Sequence, residues 1–134
     1  EARGIGYTVN WLTRDMVESF HRESLVRFGG ADGIRDEGLL LSAMARAANI
    51  YSYEPAADVF QLAAAYCAGV VKNHPFVDGN KRTGVLSAVV FLAMKGIALE
   101  FDEAMIVTMV YGLAASDITE SQFAAWLRES AVNR

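Results

Sequence analysis

The residues best suited to chemistry lie in one short stretch, His74-Pro75-Phe76-Val77-Asp78-Gly79-Asn80-Lys81-Arg82. The helical pattern that follows predicts that this stretch begins in a loop and enters a helix near Gly79. Because the first N–H groups of a helix are unpaired and carry partial positive charge, the amides after Asp78 form a natural anion site. Gly79 lets a ligand approach the backbone closely, and Lys81 and Arg82 add positive charge. The stretch therefore predicts a phosphate-binding site.

Two further side chains suggest what happens to a bound phosphate. Asp78 would repel a phosphate unless a divalent cation lies between them, and Mg²⁺ prefers one or two carboxylates together with phosphate oxygens. His74 is a natural general base for a hydroxyl that attacks the phosphate. Phe76 lies between these polar residues and is expected to point inward and anchor the loop.

Residue types alone leave a second interpretation open. An exposed His-Pro turn, followed by a helix with an aspartate cap and surface Lys and Arg, occurs in many proteins. The stretch is also not a Walker A loop, because the segment from Gly79 to Gly84 lacks the Gly-Lys-Ser/Thr ending. Spacing and composition thus lead as far as a phosphate site.

The elements that must position this stretch are predicted to be helices. Six helices are expected in an all-α domain over residues 7–134, and residues 1–6 are expected to be poorly ordered. The boundaries come from caps and stops: Thr13 to Gly29, a helix from Asp36, Pro55 to Lys72, Gly79 or Asn80 to Gly96, a helix from Asp102 and one from Thr119. Residues 47–54 lack a helical period and predict a loop or a short flap. The strand candidates lie near Tyr51 and at residues 97–101.

Composition narrows the class of protein. The chain has 134 residues, 53% of them hydrophobic, and a net charge of -4. It is long and apolar enough for one folded core, and its acidity argues against a nucleic-acid partner. No apolar run is long enough to span a bilayer, so no membrane partner is expected. The single cysteine, Cys67, has small apolar neighbours that indicate burial, and a cytoplasmic location is expected.

The stretch resembles the signature of the Fic/Doc family: a histidine, a phenylalanine two places on, an acidic residue, a small residue, Asn, a variable position and Arg. The likeness extends to Gly33-Ile34-Arg35-Asp36 and to Phe91-Leu92, and covers about residues 11–130. It implies the helical Fic/Doc fold, with ATP and Mg²⁺ as cofactors. It further implies that His74 is the catalytic base, that Asp78 binds Mg²⁺, that Phe76 is a buried anchor, and that the phosphates lie on Gly79, Asn80, Lys81 and Arg82.

Two departures from the full pattern bear on the reaction. Val85 stands where AMP-transferring members carry a second Arg, and Lys81 stands where they often have Gly. Both features are similar to the Doc branch of the family. That resemblance implies a toxin that transfers the terminal phosphate of ATP to elongation factor Tu and is inhibited by an antitoxin with a disordered tail. AMP transfer and a catalytically dead antitoxin-binding module are the alternatives.

Four residues outside the signature have open roles. Tyr51 and Tyr53, in the expected flap, could stack on adenine or simply cover the core. His21 borders the apolar stripe of the first helix and is interpreted as a packing residue. Arg35, with Asp36 beside it, is interpreted as part of a helix cap with a surface ion pair.

Overall fold

The computed structural model describes residues 9–132, so the expectation for residues 1–6 and the ends of the 7–134 domain lie outside the described part. Within it the chain forms six helices and two very short strands. In chain order the elements are α1 Arg14–Phe28, α2 Glu37–Tyr53, α3 Val59–Asn73, α4 Asn80–Met94, β1 Ala98–Leu99, α5 Glu103–Ala114, α6 Glu120–Glu129 and β2 Ala131–Val132. The all-α prediction is confirmed, as is the number of helices in this part of the chain.

Most helices begin where a short polar side chain can accept a hydrogen bond from the first turn. The residue before each of five helices caps it in this way: Thr13, Asp36, Asp58, Asp102 and Thr119. Such a cap satisfies a backbone N–H that has no partner within the helix. Helix α4 differs, because the residue before it is Gly79, which has no capping side chain.

Helix α3 lies at the centre of the molecule and is buried over consecutive turns from Leu62 to Val71. It packs against α2, α4, α5 and α6. Small residues make this close packing possible. A Cβ atom at Gly69 would lie 3.0 Å from the carbonyl oxygen of Ala43 in α2, and one at Gly84 in α4 would lie 3.2 Å from that of Cys67. Helix α3 therefore lies close against α2 at Gly69 and close against α4 at Gly84.

Both ends of the described chain are held by hydrogen bonds to other elements. Strands β1 and β2 pair antiparallel, with Ala98 opposite Val132. Leu12 donates its backbone N–H to the buried Tyr66 hydroxyl over 3.1 Å, which ties the segment before α1 to the central helix.

Cys67 is fully buried, and burial raises the pKa of its thiol, so it has the packing role that its neighbours predicted. No helix in residues 9–132 has both the length and the apolar character needed to cross a membrane.

The prediction of a loop or flap at residues 47–54 is wrong. Helix α2 continues to Tyr53, and Ala47 is buried beside the central helix. The stripe Leu40, Ala43, Ala47 and Ile50 has helical spacing, but the small alanines made it a weak hydrophobic pattern. The strand expected near Tyr51 is therefore absent from this described segment, whereas the one expected at 97–101 corresponds to β1. Helix α3 also starts later than predicted, after its Asp58 cap and not at Pro55.

Gly69→Ala in α3 and Gly38→Ala in α2 should change the free energy of unfolding in opposite directions. Gly69→Ala should lower the free energy of unfolding by about 1–3 kcal/mol, because the added methyl meets backbone atoms of α2 that cannot move aside. Gly38→Ala, in the exposed first turn of α2, meets its nearest atom at 3.4 Å. It should raise the unfolding free energy by about 0.5–1 kcal/mol, because alanine favours the helix. Urea unfolding of both variants measures the difference, and equal effects would contradict the close α2–α3 contact.

Candidate active site

The loop of residues 74–79 joins the ends of α3 and α4 and carries most of the predicted site. His74 ends α3 in a left-handed conformation with φ 54°, and its N–H still donates to the Val70 carbonyl. Left-handed backbone is uncommon for a residue with a Cβ, and a following proline restricts the residue before it further. The imidazole is on an exposed residue, whereas Pro75 and Phe76 directly after it are buried.

Asn80 closes the loop from the start of α4. Its side-chain oxygen accepts a hydrogen bond from the Phe76 N–H over 3.0 Å, and its amide group donates to the Phe76 carbonyl over 2.9 Å. Both polar atoms of this buried side chain are thus used inside the loop. The backbone N–H of Asn80, at the first position of α4, is the group that could bind a phosphate while the side chain holds the loop.

An extended segment before α2 runs along the other side of the loop. Val77 donates to the Gly33 carbonyl over 3.0 Å, and Ile34 forms an antiparallel bridge with Phe76. The N–H of Arg35 donates to the Pro75 carbonyl over 2.6 Å. The extended piece next to the site is therefore found before α2, and not at residues 47–54 at the end of that helix.

The Arg35 side chain binds the end of α3 and forms no ion pair among the described residues. Its Nε donates to the His74 carbonyl over 2.7 Å and its terminal nitrogen to the Asn73 carbonyl over 3.0 Å. The last carbonyls of a helix carry partial negative charge, so a guanidinium there is stabilising. The surface ion pair predicted for Arg35 is wrong, while Asp36 does cap α2 by accepting from Leu39.

The Asp78 carboxylate is oriented by two backbone amides. One oxygen accepts from the Gly79 N–H over 3.0 Å and the other from the Ala31 N–H over 3.3 Å. Asp78 is exposed, so its remaining lone pairs can reach a ligand. No group of three or more His, Cys, Asp or Glu residues that could hold a metal occurs in the described chain. A single free carboxylate fits Mg²⁺, which takes few protein ligands and completes its shell with water and phosphate oxygens.

The start of α4 has the character of an anion site. Gly79 precedes it with φ 79°, and no side chain caps the helix. Lys81 and Arg82 follow, and each cation lies over an exposed aromatic ring. The Lys81 ammonium is 4.8 Å from the ring centre of Tyr111, and the Arg82 guanidinium is 4.4 Å from that of Phe28. Uncapped amides and two cations at one helix start favour phosphate.

The two tyrosines of the expected flap lie at the C-terminal end of α2. Tyr51 is half-buried and packs edge-on against Trp11 at 5.8 Å, as part of the hydrophobic core. Tyr53 is 86% exposed. It lines an open groove of about 430 Å³ between α2 and α3 that extends to Asn73, the residue before His74. Tyr51 thus contributes to covering the core, and an adenine contact of either tyrosine stays a prediction.

His21 forms part of the site, although the sequence indicates only that it is a packing residue of the core. His21 of α1 is buried, as interpreted, but it contacts the loop directly. Its Nε2 lies 2.8 Å from the Asp78 carbonyl oxygen, and its ring stacks on Phe76. Its place on the stripe of Val17 and Ser24 was the only signal in the sequence, and this signal does not reveal the partner 57 residues away.

Two neighbouring glycines offer a test of how Asp78 is held. Gly30 has φ +120°, and a Cβ there would lie 3.0 Å from the Asp78 carboxylate, whereas Gly29 has φ +80° and no atom within 4 Å. Both alanine variants should lose stability, by about 1–2 kcal/mol, because their backbones are in a region that favours glycine. Only Gly30→Ala should also weaken the binding of Mg²⁺ and ATP, the ligands that the family resemblance implies for this site, by about tenfold. Calorimetric titration checks this, and equal binding by both variants would contradict it.

The sequence is similar to those of known proteins over the loop and the helices on either side of it. The sequence model of the Fic/DOC family matches residues 11–92, which include the whole loop and most of α4. The chain is 32% identical to "Protein kinase doc" of Escherichia phage P1 over 117 residues, covering 87% of this chain and 92% of that protein. It is 38% identical to "Toxin Doc" of Mycolicibacterium smegmatis over 93 residues, covering 65% of this chain and 72% of that protein. On this evidence the chain belongs to the Fic/Doc family.

Proposed function

We propose that this protein is a toxin that transfers the terminal phosphate of ATP to a hydroxyl of a translation factor, elongation factor Tu being the first candidate. The observation that carries the proposal is the uncapped, glycine-preceded start of α4, with a free carboxylate and an exposed imidazole beside it. These groups suit a phosphate, a divalent cation and an attacking hydroxyl. Similarity to proteins named as a kinase and as a toxin supports it.

Each group has one chemical task in this reaction. His74 would accept the proton of the target hydroxyl while the hydroxyl oxygen attacks the terminal phosphorus of ATP, the bond from that phosphorus to the bridging oxygen breaks, and ADP leaves. The exposed position of His74 lets a protein substrate reach it. The amides of Asn80 and Lys81, with the Arg82 guanidinium, would bind phosphate oxygens, and Asp78 would hold Mg²⁺. Mg²⁺, when bound, neutralises charge on the phosphate oxygens. Arg35 contributes by fixing the His74 carbonyl, and with it the backbone that carries the base.

Two features favour phosphate transfer over AMP transfer. Val85 lies on α4 one turn after Arg82, where AMP-transferring relatives carry a second arginine. Lys81 occupies the variable position of the signature and adds charge at the helix start. AMP transfer to a protein hydroxyl is the second candidate, because the phosphate-binding groups suit either part of the nucleotide.

The proposed partners follow from the family. We expect a cognate antitoxin whose disordered tail folds onto the toxin, and we expect both the toxin and its target to act in the cytoplasm, where ATP is available. A catalytically dead antitoxin-binding module would need neither the imidazole nor the free carboxylate, yet both are accessible in the structure.

Parallel labelling distinguishes these functions. The protein is incubated with Mg²⁺, elongation factor Tu and ATP labelled on either the terminal or the innermost phosphate. We expect label on elongation factor Tu from the terminal phosphate alone, and none with His74→Ala. Transfer of the innermost phosphate would establish AMP transfer instead. If neither label reaches this or any other protein of a bacterial extract, the dead binding module is the better description.

The left-handed conformation of His74 predicts that replacing this residue by glycine stabilises the fold while phosphate transfer is lost. His74→Gly should raise the free energy of unfolding by up to about 1 kcal/mol, because glycine has no Cβ to strain at φ 54°. His74→Ala keeps the Cβ and should unfold close to the wild type. Both variants should lose phosphate transfer. Urea unfolding and the labelling assay check this, and a destabilised glycine variant would refute the strain at this position.

A further inference from the structure

We infer that His21 is a positioning residue for this site: it fixes the Asp78–Gly79 peptide group, and thereby the direction of the Asp78 carboxylate. The role rests on the proposed function, because it assigns His21 to the same Mg²⁺ and phosphate site. His21 does not belong to the signature stretch and comes from α1, a different part of the chain from the segment before α2 that carries Arg35.

The contact between His21 and the loop defines which nitrogen carries a proton. The distance from Nε2 to the Asp78 carbonyl oxygen is 2.8 Å, which is a good hydrogen bond. A carbonyl oxygen only accepts, so Nε2 must donate. The side chain is 3% exposed, and water therefore does not compete for this carbonyl from the His21 side.

The ring itself is held by stacking. It lies parallel to the Phe76 ring, with the centres 3.9 Å apart and the planes 10° from each other. Gly79 packs against the same side of α1, since a Cβ there would be 3.5 Å from the imidazole and 3.2 Å from the Ser24 hydroxyl. The Phe76 ring and Gly79 thus contact the imidazole in the orientation that places Nε2 next to the Asp78 carbonyl.

Both ends of one peptide group are thus engaged. Its carbonyl, from Asp78, accepts from His21, and its N–H, from Gly79, donates to the Asp78 carboxylate. A rotation of this peptide plane would break both bonds and turn the carboxylate away. It would also move the amides that follow at the start of α4. Removing the His21 donor releases the plane from one side while leaving the signature residues unchanged.

Three variants separate the hydrogen bond from packing. His21→Phe keeps a ring that can stack on Phe76 but has no donor, and His21→Gln keeps a donor but has no ring. Ser24→Ala is the matched control, because the buried Ser24 hydroxyl lies one turn further along the same face and has no hydrogen-bond partner in the described structure. The quantity measured is the Mg²⁺ concentration for half-maximal binding of a non-hydrolysable ATP analogue.

We expect His21→Phe to raise this Mg²⁺ concentration about tenfold or more, the usual effect of losing a group that orients a metal ligand. His21→Gln should recover most of the loss, and Ser24→Ala should match the wild type. A folded His21→Phe variant with wild-type Mg²⁺ dependence would overturn the proposal. So would a Gln variant as weak as the Phe variant, because packing alone would then account for both.

A spectroscopic measurement covers the case in which a variant fails to fold or the wild type binds no nucleotide. Long-range ¹H–¹⁵N spectra of the wild type report which His21 nitrogen is protonated. A protonated Nε2 with a slowly exchanging proton supports the hydrogen bond to Asp78, and an unprotonated Nε2 overturns it. This result does not depend on phosphate transfer, so failure of the proposed function, seen as no binding and no labelling by the wild type, stays distinguishable.

Discussion

The two hydrogen bonds between the Asn80 side chain and the Phe76 backbone set the shape of the loop on which the site depends. They fix where α4 begins relative to the buried Phe76 ring. The other contacts of the loop come from outside it: His21 binds the Asp78 carbonyl, and the segment before α2 binds Val77 through Gly33 and Pro75 through Arg35. Because α3 and α4 are already packed closely, a short loop fixed at these points has little freedom left.

Local chemistry made much of the fold predictable. Thr13, Asp36, Asp102 and Thr119 cap helices where the sequence indicated, because a cap and its first turn interact over only three residues. Local patterns do not predict helix boundaries that depend on tertiary packing. The end of α2 was missed because alanines form its buried stripe, and the contact of this stripe with α3 is not encoded in any local pattern.

Part of the candidate site, like part of the fold, could be predicted from the sequence. The signature residues were identifiable because they are contiguous, and the start of α4 was expected close to its observed position. The sequence could not reveal that the Asn80 side chain binds both polar groups of the Phe76 backbone, or that Arg35 binds the end of α3. It also could not reveal the contact of His21 with Asp78. The contacts of Arg35 and His21 join residues that lie 38 to 57 positions apart, and only the folded chain brings them together.

The missing cap of α4 has a thermodynamic consequence. Each of the other five helices gains a side-chain hydrogen bond at its cap, and α4 has no such bond at Gly79. A phosphate bound there would take the place of that cap. The ligand would then complete the secondary structure of the protein that binds it, so nucleotide affinity and helix stability would draw on the same hydrogen bonds. Any side chain that capped α4 well would stabilise the fold and compete with the nucleotide for these amides.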